Sequence, residues 1–342
     1  MSQRTRHPPG LSKPRVEKLG LDDLGAVAEL CETPLTHLEA FAAETERFYG
    51  RFEVPKPSGG VRVIRPPLRP LRDVQRRILS LFARHTTWPP HLHGGIPARS
   101  IFTNARVHVG KQMVANLDVK SFFPSIGIDA IREILAGFGV PSGPADLLAA
   151  LITCPDEEGR RCLPQGAPTS PYFANHALSG ADEQFIAFCA VRRLAYTRYI
   201  DDITISAAAD FKCHRGTFIR FIREAGYRVA ENKVHFSGRH QRQIVTGLLV
   251  NDRLRPAPAF IRDLSILIKA AFWPGGPGLE IMSAAEGVTV AGLKARIAGR
   301  IAHVRRFDER EAKRLRNLKF KRPLAFSVLS SFWRPESCFG QL

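Results

Sequence analysis

Apolar positions along this chain change their period several times, and each change marks an element. Between residues 20 and 50 they recur at helical spacing. Leu38, Phe41 and Phe48 share a face, Thr36-His37-Leu38-Glu39 has the spacing of a capping box, and Gly50 supplies a stop. The stretch from Phe52 to Pro66 then reads as a hairpin turning at Ser58-Gly59-Gly60, with alternating residues after the turn. From Leu71 to Arg84 the helical period returns. Val74, Ile78, Leu79 and Phe82 lie on one side, and Arg72, Arg76 and Arg77 on the other, as a solvated face or a nucleic-acid contact.

The central third mixes both periods. A strand ends at Asp118, helices are expected near 128–138 and around 170–191, and two short strands meet at Tyr199-Ile200-Asp201-Asp202. Beyond Asn251 the pattern is helical again, from Ala259 to Phe272. Pro274-Gly275-Gly276-Pro277-Gly278 breaks it, and a second run begins near Val290 with Leu293, Ile297, Ile301 and Val304 at helical spacing.

Composition narrows the function classes. With 342 residues, 44% of them hydrophobic, the chain has roughly two domains' worth of length and enough apolar material for a core. A net charge of +18 calls for a polyanionic partner, nucleic acid before an anionic membrane surface. No apolar run approaches the roughly 18–20 residues of a spanning helix, and the polar start containing Pro8-Pro9-Gly10 is not a signal peptide, so no membrane role is expected. Six cysteines without a CxxC pattern read as reduced intracellular thiols, which suggests a cytoplasmic protein. His91-X-His93 has no Cys or second His pair nearby to complete a zinc site. Charge is unevenly spread. Between Lys294 and Arg322 there are 12 Lys or Arg against three acids, half of the net charge, and this one-sign run on an amphipathic helix suits a phosphate backbone, with Arg305, Arg306 and Lys313 as candidate RNA contacts.

The candidate chemistry is carried by carboxylates. Asp201-Asp202 at a turn concentrates negative charge, which repels unless a divalent cation offsets it. Asp118 is a third carboxylate in a matching setting, at the end of Met113-Val114-Ala115-Asn116-Leu117. Three acids with no Cys or His alongside suit Mg²⁺ or Mn²⁺ rather than zinc.

With these residues the chain resembles a reverse transcriptase. Asn116-Leu117-Asp118-Val119-Lys120-Ser121-Phe122-Phe123, Leu163-Pro164-Gln165-Gly166-Ala167-Pro168-Thr169-Ser170-Pro171 and Tyr199-Ile200-Asp201-Asp202 match the family's motifs in order, with 84 residues from Asp118 to Asp202. The likeness runs from about Glu53 to Asn251. Asn104-Ala105-Arg106-Val107-His108 and Val245-Thr246-Gly247 are similar to elements of the retron subgroup. The resemblance implies an α+β right-hand polymerase fold: N-terminal helices and fingers over 1–115, a palm with an antiparallel sheet over 116–253, and a basic helical thumb over 254–342. It implies an RNA-directed DNA polymerase that uses two Mg²⁺ ions, Mn²⁺ being possible, on Asp118, Asp201, Asp202 and the Val119 carbonyl. Arg62 and Lys233 would contact the triphosphate, Gln165 would shape the nucleotide and template pocket, and Phe123 would pack beneath the sugar and exclude a 2′-hydroxyl. Phe122 is expected in the core, strand alternation pointing the two rings oppositely. Asn104 and His108 would contact RNA. The implied partners are dNTPs, a structured non-coding RNA serving as template and primer, its DNA product, and a defence effector protein in an anti-phage system. No region is left for a ribonuclease H domain. The alternatives are another stand-alone bacterial reverse transcriptase (maturase-like, CRISPR-associated or diversity-generating) and a non-catalytic RNA-binding scaffold on a polymerase fold.

Overall fold

A computed structural model describes residues 11–55, 60–273 and 276–318. The Pro8-Pro9-Gly10 start, the Ser58-Gly59 part of the expected hairpin turn, Pro274-Gly275, and the basic positions Lys319, Lys321 and Arg322 lie outside those residues. The chain divides into two compact units, one holding most of the chain up to Thr246 and the other beginning at Gly247, to which the short piece Pro55–Val61 also belongs.

The first unit is built on a four-stranded antiparallel sheet in the spatial order His235–Gly238, Met113–Asp118, Asp202–Ala207, Ala195–Tyr199. Its register sorts side chains onto two faces, because directly paired residues of antiparallel strands point the same way. Ala115 pairs with Ile205, Leu117 with Ile203, and Ile205 in turn with Tyr196. This apolar face is wholly buried, and Phe185 of the helix Ser179–Val191 stacks on Tyr196 with ring centroids 5.0 Å apart. The opposite face is polar: Asn116 pairs with Thr204, Thr204 with Thr197, and Asp118 with Asp202.

Helices bury their apolar faces much as their spacing requires. The helix Arg69–Arg84 buries Leu71, Val74, Ile78 and Phe82 and leaves Arg72, Arg76 and Arg77 at or near the surface. Three local expectations are corrected. The first concerns Thr36, which is not the cap: the helix Leu35–Ala43 starts two residues earlier than that cap would set, with Pro34 at its N-cap and no side-chain cap bond. The second concerns the expected helix over 170–191, which is two helices, Ser170–Ala177 and Ser179–Val191, meeting at Leu178. The third concerns Phe122 and Phe123, which lie not on a strand but in the short helix Phe122–Ser125. Phe122 is buried and Phe123 half-buried, because neighbours on a helix diverge by about 100° and only one ring reaches the core.

The second unit contains the helices Pro258–Phe272, Gly278–Ala285, Val290–Arg305 and Glu309–Asn317. Leu293, Ile297, Ile301 and Val304 meet Leu264 and Leu315 in a core of their own. Thr289 and Asp308 cap the last two helices, accepting from the backbone N–H of Gly292 and Glu311.

Candidate active site

Asp118 and Asp202 end up side by side for a simple reason. One closes its strand, the other opens the next, and the register pairs them directly on the polar face. Asp201 sits one residue earlier, in the turn joining Ala195–Tyr199 to Asp202–Ala207. The turn is tight enough that Ile200 takes a left-handed backbone, with φ of 59°. For a β-branched residue such a conformation costs on the order of 1–3 kcal/mol and persists only where its surroundings enforce it.

The carboxylates are half-buried and crowd one another. Burial, followed by the Asp118 charge, pushes the Asp201 carboxyl up to about 6, against a partial offset from its own backbone N–H, Arg62 and Lys233. Burial, followed by the charges of Asp201 and Asp118, pushes Asp202 up to about 7. Lys233 Nζ donates to Asp118 Oδ2 at 2.7 Å and pairs with its charge. Among the described residues, no three His, Cys, Asp or Glu side chains converge into a ready-made metal cage. The donor set still fits Mg²⁺ or Mn²⁺. It is all oxygen, it carries more negative charge than its surroundings balance, and Mg²⁺ is commonly held by one or two carboxylates with water and substrate phosphate completing the shell.

The other predicted residues divide into two groups. Arg62 is exposed on the strand Val61–Ile64, and its charge reaches Asp201. Val119 forms an isolated bridge with Val229, and the flanking bonds, Lys120 N–H to the Arg228 carbonyl and Ala230 N–H to the Asp118 carbonyl, do not use the Val119 carbonyl. Gln165 is fixed beside the end of the strand Val61–Ile64 by its carbonyl, which accepts from the Arg65 N–H at 2.7 Å. Gly166 next to it has φ of 107°, and a Cβ there would lie 2.8 Å from Ile64 Cγ2, so no larger residue fits. The Phe123 ring lies 6.1 Å from that of Phe122.

Asn104 and His108 are corrected. Both are completely buried, so neither reaches RNA from where it stands. His108 packs against the sheet's polar face, with Nδ1 2.7 Å from Ser206 Oγ and Nε2 2.7 Å from Thr197 Oγ1. Burial, with His93 and Lys111 adding to it, lowers its imidazole to about 3 and keeps it neutral. A neutral imidazole offers one donor and one acceptor, which two hydroxyls can match. Asn104 Nδ2 lies 3.5 Å from Thr246 Oγ1, so the two short elements around these residues hold each other. Arg305, Arg306 and Lys313 are exposed on the second unit.

Sequence reasoning missed the residues under the turn. Arg198 and Asp182 are both fully buried. Arg198 Nε and Nη2 donate to Asp182 Oδ1 and Oδ2 at 2.8 and 2.6 Å, and the Tyr196 hydroxyl donates to Oδ1 at 2.6 Å. Burial alone would raise the Asp182 carboxyl, but Arg198 and His91 together outweigh it and hold the group well below the usual range. His91, half of the dismissed zinc pair, lies 3.6 Å from Asp182 Oδ2, and His93 Nδ1 lies 2.9 Å from Thr103 Oγ1. A signal was available: a lone arginine in the strand Ala195-Tyr196-Thr197-Arg198-Tyr199 must either face water or meet a buried acid.

Comparison with known proteins places the chain in a family. The family described as reverse transcriptase (RNA-dependent DNA polymerase) matches residues 54–247, more than half of the chain and all of the residues above from Arg62 to Thr246. The chain belongs to the reverse transcriptase family. With that membership comes the right-hand polymerase fold. The chain is 32% identical over 287 residues to the retron Mx65 reverse transcriptase of Myxococcus xanthus, covering 80% of this chain and 64% of that protein. It is 32% identical to the retron Mx162 reverse transcriptase of the same organism, covering 76% and 61%. To the retron Ec86 reverse transcriptase of Escherichia coli it is 30% identical, covering 57% and 60%. The chain thus spans a little over three-fifths of the two Myxococcus proteins. No helix among the described residues is long and apolar enough to cross a membrane.

Proposed function

We propose that this chain is an RNA-directed DNA polymerase of the retron type, which copies a cognate structured non-coding RNA into a short DNA that stays joined to it. The observation that carries the reading is the direct pairing of Asp118 with Asp202 beside Asp201, a set of oxygen donors with unbalanced charge. The retron relatives support the subgroup. In this reading, the boundaries of fingers, palm and thumb fall near residues 115 and 253, and an effector protein completes an anti-phage system.

Asp118, Asp201 and Asp202, with the Val119 carbonyl, would hold two Mg²⁺ ions. When bound, these supply Lewis-acid stabilisation of charge on the attacking 3′-oxygen and the leaving pyrophosphate. The chain's own groups do the rest. Arg62 offers a guanidinium fork to the triphosphate. Lys233, seated on Asp118, is within reach of the same phosphates and exchanges a carboxylate partner for a phosphate one as substrate arrives. Gln165 lines the nucleotide and template pocket, and Phe123 lies beneath the sugar. Arg305, Arg306 and Lys313 bind the RNA backbone.

Expression with the adjoining locus tests the subgroup. A single short DNA species joined to RNA, with a join that resists protease and yields to debranching treatment, is the expected product. Broad cDNA from unrelated transcripts would instead indicate a maturase-like or CRISPR-associated enzyme.

A further inference from the structure

A buried guanidinium reaches the backbone of the turn that carries Asp201. Arg198 has five N–H donors, and all of them are engaged. Two go to the Asp182 carboxylate, as described. One on Nη2 goes to the Asn175 carbonyl at 2.9 Å, and Nη1 donates to Asn175 Oδ1 at 3.1 Å and to the Ile200 carbonyl at 2.7 Å. The arginine's own backbone is pinned as well. Its N–H donates to the His91 carbonyl, and its carbonyl accepts from the His93 N–H, both at 2.8 Å.

The segment after His93 forms the other side of the cradle. Asn175 Nδ2 donates to the Gly94 carbonyl at 2.8 Å, so the residue that receives Arg198 also fixes Gly94. A Cβ on Gly94 would lie 2.5 Å from Ile200 Cγ1 and 2.8 Å from the Ile200 nitrogen. No side chain fits between this segment and the turn. The left-handed Ile200 is therefore held through its carbonyl from within and packed against bare backbone from beside.

We propose that Arg198 is a positioning residue for Asp201: seated on Asp182 and Asn175, it grips the Ile200 carbonyl and holds the left-handed turn that presents the carboxylate, with Gly94 as the floor against which the turn closes. The role rests on Asp201 being a catalytic carboxylate. It explains why a charge is kept in the interior here. A hydrophobic residue would fill the volume, but it cannot bond a carboxylate, an amide and a turn carbonyl from one planar group.

Arg198→Lys is the decisive variant, because it keeps a cation opposite Asp182 and loses the fork. Folding is checked by circular dichroism and RNA affinity by titration, and both should match the parent at a temperature well below the melting transition. The kcat for single-nucleotide addition should fall at least about tenfold while the KM for dNTP stays within about threefold. In metal-free protein, amide exchange across residues 199–202 should accelerate by about tenfold or more. Adding Ile200→Gly should recover part of the lost kcat, since glycine adopts the left-handed form without a clamp.

A folded Arg198→Lys protein with parental kcat and parental exchange, assayed beside an inactive Asp201→Asn, would overturn the positioning role. Activity retained by Asp201→Asn would overturn the carboxylate reading beneath it instead. If Arg198→Lys does not fold, Gly94→Ala decides, since it displaces the turn and leaves every Arg198 bond intact. Lowered kcat with faster exchange supports the role, and parental values for both overturn it.

Discussion

The aspartate turn and the basic helices of the second unit handle charge in opposite ways. On the helices Val290–Arg305 and Glu309–Asn317, charge sits outside an apolar core, where water solvates it and neighbouring acids pair with it, as Glu311 does with Arg314 at 2.6 Å. At the turn, Asp201 and Asp202 are half-buried within range of each other's charge and of Asp118's, and a guanidinium is buried beneath the turn. Exposed charge costs little and can be rearranged freely. Buried charge is tolerated only when every partner is in place, so it fixes geometry. In the proposed reading, the difference separates a surface that would attract a polyanion from a site that would orient one.

The sharpest way to break the comparison is at the turn itself. Asp201→Asn keeps the shape and removes one charge, so polymerisation should drop by about three orders of magnitude or more while RNA binding survives. Primer extension by the folded variant at a rate near the parent's would remove the carboxylate reading altogether.

Next in size is stability. Asp182→Ala leaves Arg198 buried without its counter-ion and should cost about 3–5 kcal/mol in denaturant unfolding. Glu309→Ala, which breaks an exposed pair with Arg316, should change stability by no more than about 0.5 kcal/mol. Equal losses would show that burial is not what distinguishes the two regions. The sign with pH follows from the depressed Asp182 carboxyl. Its contribution is complete above the ordinary value of 3.8 and is lost as pH falls below it.

Within the first unit the contrast recurs at adjacent rings. Half-buried Phe123 should govern sugar choice, with Phe123→Val raising ribonucleotide incorporation by about tenfold, equivalent to roughly 1.4 kcal/mol of discrimination. Buried Phe122, whose ring meets Tyr227 at 5.3 Å, should act through the core, with Phe122→Val costing about 1–3 kcal/mol and leaving the dCTP-to-CTP ratio unchanged. A relaxed ratio from Phe122→Val alone would exchange the two assignments.

The smallest effect belongs to the exposed helices. Reversing Arg305, Arg306 and Lys313 to Glu should leave the fold intact and lower the slope of log affinity against log salt by about 0.7–0.9 for each phosphate no longer neutralised. An unchanged slope would make this face a solvated one only.

Much of the fold was legible because apolar spacing and burial coincide. Val74, Ile78 and Phe82 face inward, and so do Leu293, Ile297 and Ile301, as their periods require. The strand-end and turn positions of the three aspartates were legible from the apolar runs around them. Asn104 and His108 were misread because polarity in a short motif suggests contact with a ligand, whereas here it satisfies hydroxyls within the fold, Thr246 for Asn104 and, on the polar face of the sheet, Ser206 and Thr197 for His108. The partition of Phe122 from Phe123 was anticipated, but by strand alternation where a helical turn is responsible.

By itself, the sequence determined which residue types stand at the ends of which strands, the apolar stripe of each helix, and the clustering of positive charge toward the C-terminal side. These are properties of local spacing and composition, which a linear pattern records. Only the tertiary structure decided that Asp118 faces Asp202, that Lys233 lies on Asp118 from 115 residues away, and that Arg198 joins Asp182, Asn175 and the Ile200 carbonyl. Such pairings depend on strand register and on helix-to-sheet packing. Whether a charged side chain is solvated or buried against a partner is set by which distant segment folds over it, and no local period encodes that.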